Sequence, residues 1–113
     1  MSVQIEPEAL AEVATAVWRL HGKTGTDSAV SRRVRAVVDA LEQAGVVAHR
    51  YDGMAFDSGL SVRVLAFQPT NGLRREEIIE TIRPGVSLHG ESIQLGEVIV
   101  GTPNHVQQED TAA

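Results

Sequence analysis

The N-terminal part of the chain carries apolar side chains at the spacing of an α-helix. In residues 7–20 (PEALAEVATAVWRL) they recur every three or four positions, and Pro7 suits the first turn of a helix. This pattern predicts an amphipathic helix from Pro7 to about Leu20. The segment HGKTGTD follows with two glycines and a Thr/Asp capping signal, which predicts a turn before a second helix.

The second helical pattern ends near Ala44. Its apolar residues fall at i, i+4, i+7 and i+11, and Gly45 is a typical stop signal. The sequence therefore predicts a helical hairpin whose second helix carries an apolar stripe of Val30, Val34, Val37 and Leu41.

After Gly45 the period of the pattern changes. The runs VVAHRY, SVRVLAF and SIQLGEVIV are short, rich in β-branched residues and bounded by turn residues, as is typical of strands. The segment LRREEIIETIRPG fits either a helical turn or a strand, and we favour a strand that begins near Glu77.

These patterns predict an α+β fold in which a helical hairpin over residues 1–45 precedes a small all-β domain over residues 46–103. Residues 104–113 are polar and unpatterned, which predicts a disordered tail. The chain of 113 residues suits one modest core, and its four aromatic residues indicate that this core is built from Val, Ile, Leu and Ala. A core of this size would gain from dimerisation.

The charge balance narrows the set of partners. Ten Lys and Arg against fifteen Asp and Glu give a formal charge of −5, the wrong sign for general attraction to nucleic acid or anionic lipid. There is no Cys, and no apolar run has the length of a membrane span or the form of a signal peptide. We expect a cytoplasmic protein with neither nucleic acid nor membrane as a partner.

The segment HGKTGT contains Gly-Lys-Thr, the triplet of phosphate-binding loops. The full pattern requires a second glycine five residues before Gly22, where Val17 stands within a predicted helix. An interhelical turn is therefore favoured, although a nucleotide binder or small enzyme stays open as an alternative.

The other candidates for chemistry are dispersed. The four histidines, His21, His49, His89 and His105, lack the spacing that would place two of them on one metal. Asp52 and Asp57 lie beside glycines, where Asp commonly bonds local backbone. We predict no catalytic residue, no metal site and no cofactor, and so not an enzyme.

Arg32, Arg33 and Arg35 form a basic cluster at the start of the second helix. Two interpretations stay open for it. The arginines could form a solvated face with weak surface ion pairs, or they could form a surface for an acidic partner.

Four segments follow one another along the chain: LEQAGV, YDGMAFD, SVRVLAF and EEIIETIRPGVSLHGESIQLGEVIVG. In this order they resemble the C-terminal part of the GrpE family, the nucleotide exchange factors of DnaK-type chaperones. The resemblance covers roughly residues 30–102. The matching positions are Leu41, Gly45, Val46, Gly53, Phe56, Asp57, Gly85, Leu88, Gly90, Ile93, Val98 and Val100.

The resemblance implies a cochaperone. Its β domain would wedge open the ATPase cleft of a DnaK-type chaperone and release ADP, and its helical hairpins would form a homodimeric four-helix bundle through Val30, Val34, Val37 and Leu41. The residues implied at or beside the partner surface, or in the turn that presents it, are Arg83, Pro84, Gly85, Glu91, Gln94, Val98 and Val100. For Val98 and Val100 the alternative of burial in the sheet stays open, because alternating residues of a strand must point to an apolar side.

The chain also departs from the family. Glu91 and Gln94 stand where the family's hairpin usually has Arg, Ser58 replaces a Pro, and Val86 replaces a Tyr. These differences imply a specialised DnaK-like partner. They also favour the alternative of a GrpE-like interaction module without exchange activity in a multi-protein system.

Overall fold

The computed structural model describes residues 1–104, and it is α+β, as predicted. The expected disordered tail lies outside the described residues except for Asn104. Two helices are followed by six strands. They are α1 (Pro7–Lys23), α2 (Ala29–Gln43), β1 (Val46–His49), β2 (Val62–Thr70), β3 (Glu77–Arg83), β4 (Gly85–Leu88), β5 (Glu91–Gln94) and β6 (Gly96–Pro103). No helix in this range is long and apolar enough to cross a membrane.

Helix α1 ends one turn later than the sequence pattern indicates. His21 and Lys23 lie in its last turn, where positive charge is favoured by the helix dipole. Thr24 then ends the helix, and its hydroxyl donates to the His21 carbonyl at 3.1 Å. Gly22 is thus helical rather than part of the linker. The prediction that HGKTGT joins two helices is confirmed, with the linker shortened to residues 24–28.

Helix α2 begins at a different cap from the one predicted. Ser28, not Thr26 or Asp27, is the N-cap residue, and Ser28 and Ser31 each donate a backbone N–H to the other's hydroxyl at 3.0 Å. This capping box satisfies two amide donors that the helix would leave unpaired. The predicted stop is confirmed, because Gly45 follows the helix with a positive φ of 89°.

The first compact unit comprises residues 1–49 and 84–95. Its antiparallel sheet has the strand order β1-β4-β5 and contacts the two helices. Small residues of α1 approach the sheet closely. The core consists of Ala11, Ala14, Val46 and Val86, with Leu10, Leu41, Leu88 and Ile93 packed against it.

The second compact unit comprises residues 50–83 and 96–104. Its sheet has the strand order β2-β6-β3, with β6 parallel to β2 and antiparallel to β3. Ile78, Val98 and Val100 are fully buried, and the residues packed against them are Tyr51, Phe56, Leu60, Val62 and Val64.

Two features of the β-rich half differ from prediction. The run SIQLGEVIV is not one strand, because β5 and β6 flank Leu95 and belong to different sheets. Pro84 stands between β3 and β4, which belong to different sheets, whereas the resemblance implied that Arg83, Pro84 and Gly85 form a turn presenting the partner surface. Proline has no N–H to donate to a ladder, which suits this position between two strands. The predicted start of β3 at Glu77 is confirmed.

The compact units do not follow the expected boundary after residue 45, because β1, β4 and β5 group with the helices.

The contact between Gly45 and His89 generates a test. A Cβ on Gly45 would lie 2.2 Å from Nδ1 of His89, whereas a Cβ on Gly90, at the similar φ of 87°, would meet nothing within 4 Å. Ala at Gly90 should cost about 1–2 kcal/mol from backbone strain alone. Gly45→Ala should cost more, because the imidazole must also move.

Urea unfolding followed by circular dichroism measures both losses. In a His89→Ala background the imidazole is gone, so Gly45→Ala should there cost no more than the Gly90 variant. An equal cost for Gly45→Ala in both backgrounds would show that the packing of His89 on Gly45 contributes nothing.

Candidate functional site

Val98 and Val100 are in the core and not on a surface. Both side chains are 0% exposed and face Ile78 in the second unit. A partner cannot contact them directly, so of the two alternatives for these residues the structure shows burial in the sheet and not exposure at a binding surface. The alternation of β6 explains the result, because residues 98 and 100 share one face of the strand and that face is covered.

Gln94 is engaged within the first unit. Its Nε2 donates to the Thr15 hydroxyl and to the Pro84 carbonyl, both at 2.9 Å. The first bond connects β5 to α1 and gives a partner to the hydroxyl of Thr15, a residue that is 5% exposed, and the second connects β5 to the residue before β4. The Gln94 amide is therefore a structural group. Glu91, in contrast, is exposed at the start of β5, next to the turn formed by His89 and Gly90.

Arg83, Pro84 and Gly85 are brought into different surroundings. Arg83 ends β3 in the second unit, is half-buried and is the register partner of Glu97. Pro84 and Gly85 are buried and belong to the first unit. Among these three, only Arg83 retains partial access to solvent.

The four residues expected at a dimer interface divide into two pairs. Val34 is buried and Leu41 packs against the core of the first unit, so both are used within the chain. Val30 and Val37 are 60% and 47% exposed. They are seven positions apart and so lie on one side of α2. These two remain available to a second copy.

The second unit exposes an apolar surface that the sequence analysis missed. Leu65 and Phe67 on β2 are 47% and 56% exposed, and we call these two residues the β2 patch. The ring of Phe67 meets the half-buried ring of Phe56 edge to face, with centroids 5.9 Å apart. Phe67 is thus held from behind while much of it faces solvent.

The sequence contains a signal for this patch. The run VLAF in β2 is continuously apolar, whereas a strand with one covered face should alternate. A β-bulge between Val64 and Ala66 leaves Leu65 out of the register with β6. Within residues 1–104, β2 pairs with β6 alone, and Pro69 agrees with an edge position because it has no N–H to donate.

The surroundings of Asp52 lower the pKa of its carboxyl group. Its oxygens accept from the Thr81 hydroxyl and from Nη2 of Arg50, the latter at 3.2 Å. Thr81 is buried and its oxygen accepts from the Tyr51 amide at 3.0 Å. Partial burial acts to raise the pKa of Asp52, but the hydrogen bonds from Arg50 and Thr81 outweigh it, so the pKa is lowered.

The arrangement around Asp52 is a structural network that joins the start of the second unit to β3. Asp57 bonds locally as predicted, since its Oδ1 accepts from the Gly59 amide at 2.7 Å. Asp52 differs from the prediction because its partner Thr81 is distant in sequence. Asp52 and Asp57 therefore lie in two separate hydrogen-bonded arrangements and not in one shared site.

The described histidines are also dispersed. Nε2 of His49 lies 2.9 Å from the Ser87 hydroxyl, and His89 occupies a left-handed backbone conformation with a φ of 49°. His21 lies in the last turn of α1, and His105 is outside the described residues. Within residues 1–104 there is no group of three His, Cys, Asp or Glu side chains placed to hold a metal ion.

Comparison with known proteins adds no family assignment. No family model matches the sequence, and no curated protein matches it.

The lowered pKa of Asp52 predicts how stability changes with pH. In the unfolded chain the carboxyl has its ordinary pKa of 3.8. The ionised form therefore stabilises the fold fully above that value, and this contribution disappears as the pH falls through the lower pKa of the folded state. At neutral pH the free energy of unfolding of the wild-type chain should exceed that of Asp52→Asn by about 1 kcal/mol, and this difference should disappear in strong acid.

Urea unfolding across this pH range measures the difference. Thr81→Ser keeps the hydroxyl and should retain the pH dependence of the free energy of unfolding. Thr81→Val removes the hydroxyl and should weaken that dependence. A wild-type advantage over Asp52→Asn that is unchanged in strong acid would contradict this assignment.

Proposed function

We propose that this chain is a GrpE-like cochaperone that promotes ADP release from a DnaK-type chaperone by binding its ATPase domain in the open state. One observation carries the proposal. The residues that match the GrpE pattern stand at positions that shape the fold: Gly45 ends α2, Gly90 makes the β4–β5 turn, and Val98 and Val100 fill the core of the second unit.

The order of the elements supports the same proposal. A helical hairpin precedes six short strands in two small sheets, and the last hairpin pattern of the family falls on β4 and β5. A match that follows the elements in order along the chain is more informative than any one of its motifs. Fold and function are separate questions, so activity must be tested at the surface.

The proposed mechanism requires shape and differential affinity. A factor that binds the open cleft more tightly than the ADP-bound cleft shifts the equilibrium by that difference in affinity. A preference of about 3 kcal/mol corresponds to a change of more than a hundredfold in the ratio of the two states. The chain needs a stiff binding surface for this task and no reactive side chain.

The exposed residues identify where the second unit would bind. Because Val98 and Val100 are covered, we assign the contact to the β2 patch, whose Phe67 is a large, partly supported anchor of the kind that dominates protein interfaces. Leu65 lies two residues away and adds apolar area. The exposed Glu91 of the first unit is a second candidate contact.

We further propose that the protein is a cytoplasmic homodimer that pairs through α2. Val30 and Val37 repeat at the seven-residue interval of a helix–helix seam and are exposed in the single chain. Pairing of two hairpins along this seam would give a four-helix bundle. Val34 and Leu41 would support the seam from within each chain.

A second candidate function is a GrpE-like interaction module without exchange activity. The exposed Glu91 favours it, because the family usually has Arg at this position, and the opposite charge would repel an acidic chaperone surface.

Release of a fluorescent ADP analogue from the host's DnaK-type chaperones tests the main proposal. The chain should accelerate release at saturating concentration, and Leu65→Ser or Phe67→Ser should lower the acceleration by about tenfold, since a buried anchor contributes more than 1 kcal/mol. Leu20→Ser is the matched control, because Leu20 is similarly exposed, at 51%, but lies on α1. If the chain accelerates ADP release from none of these chaperones, the proposal of exchange activity is wrong. If it binds a chaperone without accelerating release, the second candidate function is supported.

Sedimentation velocity tests the dimer. The wild-type chain should sediment as a dimer at high concentration, and Val30→Asp with Val37→Asp should make it monomeric because carboxylates would be buried in the seam. Val3→Asp is the control, since Val3 is 77% exposed and precedes α1. A monomeric wild type, or a double variant that stays dimeric, would contradict pairing through α2.

A further inference from the structure

Two adjoining pockets lie on the first unit, one between α1, α2 and β1 and the other at the link between α1 and α2, and we call them together the groove. It has two sections that share His21 and Arg35. The section of about 220 Å³, which we call the apolar section, is lined mainly by Ala14, Val17, Trp18, Val38, Leu41 and Val46. The section of about 380 Å³, which we call the cationic section, is lined by Thr24, Thr26, Ser31 and Arg32 together with the shared pair.

The apolar section has the size of one large side chain. Its volume is below the range of about 300–1,000 Å³ in which small-molecule ligands are usually enclosed. The half-buried ring of Trp18 and the side chain of Val38 form part of its wall. Glu42 lies at this section and is the one acidic residue that lines the groove.

The cationic section lies in the most basic stretch of the chain. Residues 19–35 hold five of the ten Lys and Arg residues but one of the fifteen acidic residues, in a protein of charge −5. Nε of Arg35 is 3.6 Å from Oδ1 of Asp39, and both side chains are more than half exposed. Such a surface pair is weak, so Arg35 can exchange Asp39 for a ligand carboxylate.

We propose that this groove binds an acidic peptide segment of another protein. One large apolar side chain of the segment occupies the apolar section, and neighbouring Asp or Glu carboxylates accept hydrogen bonds from Arg32 and Arg35. Glu42 fixes the direction of the segment, because it repels carboxylates from the apolar end. The net negative charge of the chain disfavours broad polyanions such as nucleic acid, so a short acidic motif fits this local basic site best.

The groove remains open in the proposed dimer. At 100° per residue, Arg35 and Val37 point in nearly opposite directions from the axis of α2. Pairing through Val30 and Val37 therefore leaves Arg35 accessible. The inference also stands without exchange activity, because it requires no chaperone and no part of the second unit.

Trp18 is the only tryptophan of the chain and lines the groove, so its fluorescence reports occupancy directly. The full-length chain is titrated with acetyl-Phe-Glu-Asp-Glu-amide up to millimolar concentration. We expect a saturable change in emission that weakens as salt is added. The matched peptides acetyl-Phe-Gln-Asn-Gln-amide and acetyl-Gly-Glu-Asp-Glu-amide each lack one half of the motif and should bind at least about tenfold more weakly.

Variants of neighbouring arginines provide the control in the protein. Arg32→Gln and Arg35→Gln should each weaken binding by about tenfold, whereas Arg33→Gln should change it less than twofold, because Arg33 is in the same cluster but lines neither section. Circular dichroism verifies that all three variants are folded.

The inference would be overturned by no saturable change in Trp18 emission, by equal losses for all three arginine variants, or by equal binding of the Gln/Asn peptide. Competition by inorganic phosphate as strong as that by the acidic peptide would also overturn it, since the groove would then be a simple anion site.

Discussion

The pairing of β6 between β2 and β3 is the constraint on which the second unit depends. It places Val98 and Val100 on the covered face against Ile78, and all three are 0% exposed. Each such side chain contributes about 1.5–3 kcal/mol on burial, so three of them amount to much of the stability of a small unit. Because the core takes these residues, the outer strand β2 is left to present Leu65 and Phe67 to solvent.

The first unit depends on contacts between distant parts of the chain. Residues 1–49 supply both helices and β1, but Val86, Leu88 and Ile93 arrive with the β4–β5 hairpin. The Gln94 amide connects that hairpin to Thr15, and the His89 ring lies against Gly45. The helical hairpin is thus completed by a segment that follows the first strands of the other unit. Gln94 and His89 therefore have structural roles, although the resemblance implied that Gln94 lies at the partner surface.

Local patterns predicted the elements well and their partners poorly. Helical spacing and Gly45 located both helices, and β-branched runs with turn residues located β1, β2 and the start of β3. They did not separate β5 from β6 and did not identify β4. The parallel pairing of β2 with β6 was not predictable, because alternation identifies a covered face without identifying what covers it. For the same reason Val98 and Val100 could be assigned to a surface that the structure shows to be core. The apolar run VLAF carried the missing signal for the β2 patch.

We propose that the chain acts through a rigid surface of its second unit. Amide hydrogen exchange can test this proposal when it is measured on the chain alone and with the nucleotide-free ATPase domain of a DnaK-type chaperone from the same host. In the complex, exchange in β2 around Leu65 and Phe67 should be slower, since a partner would cover this edge strand. Unchanged exchange in β2 within a stable complex would show that the β2 patch is not the binding surface.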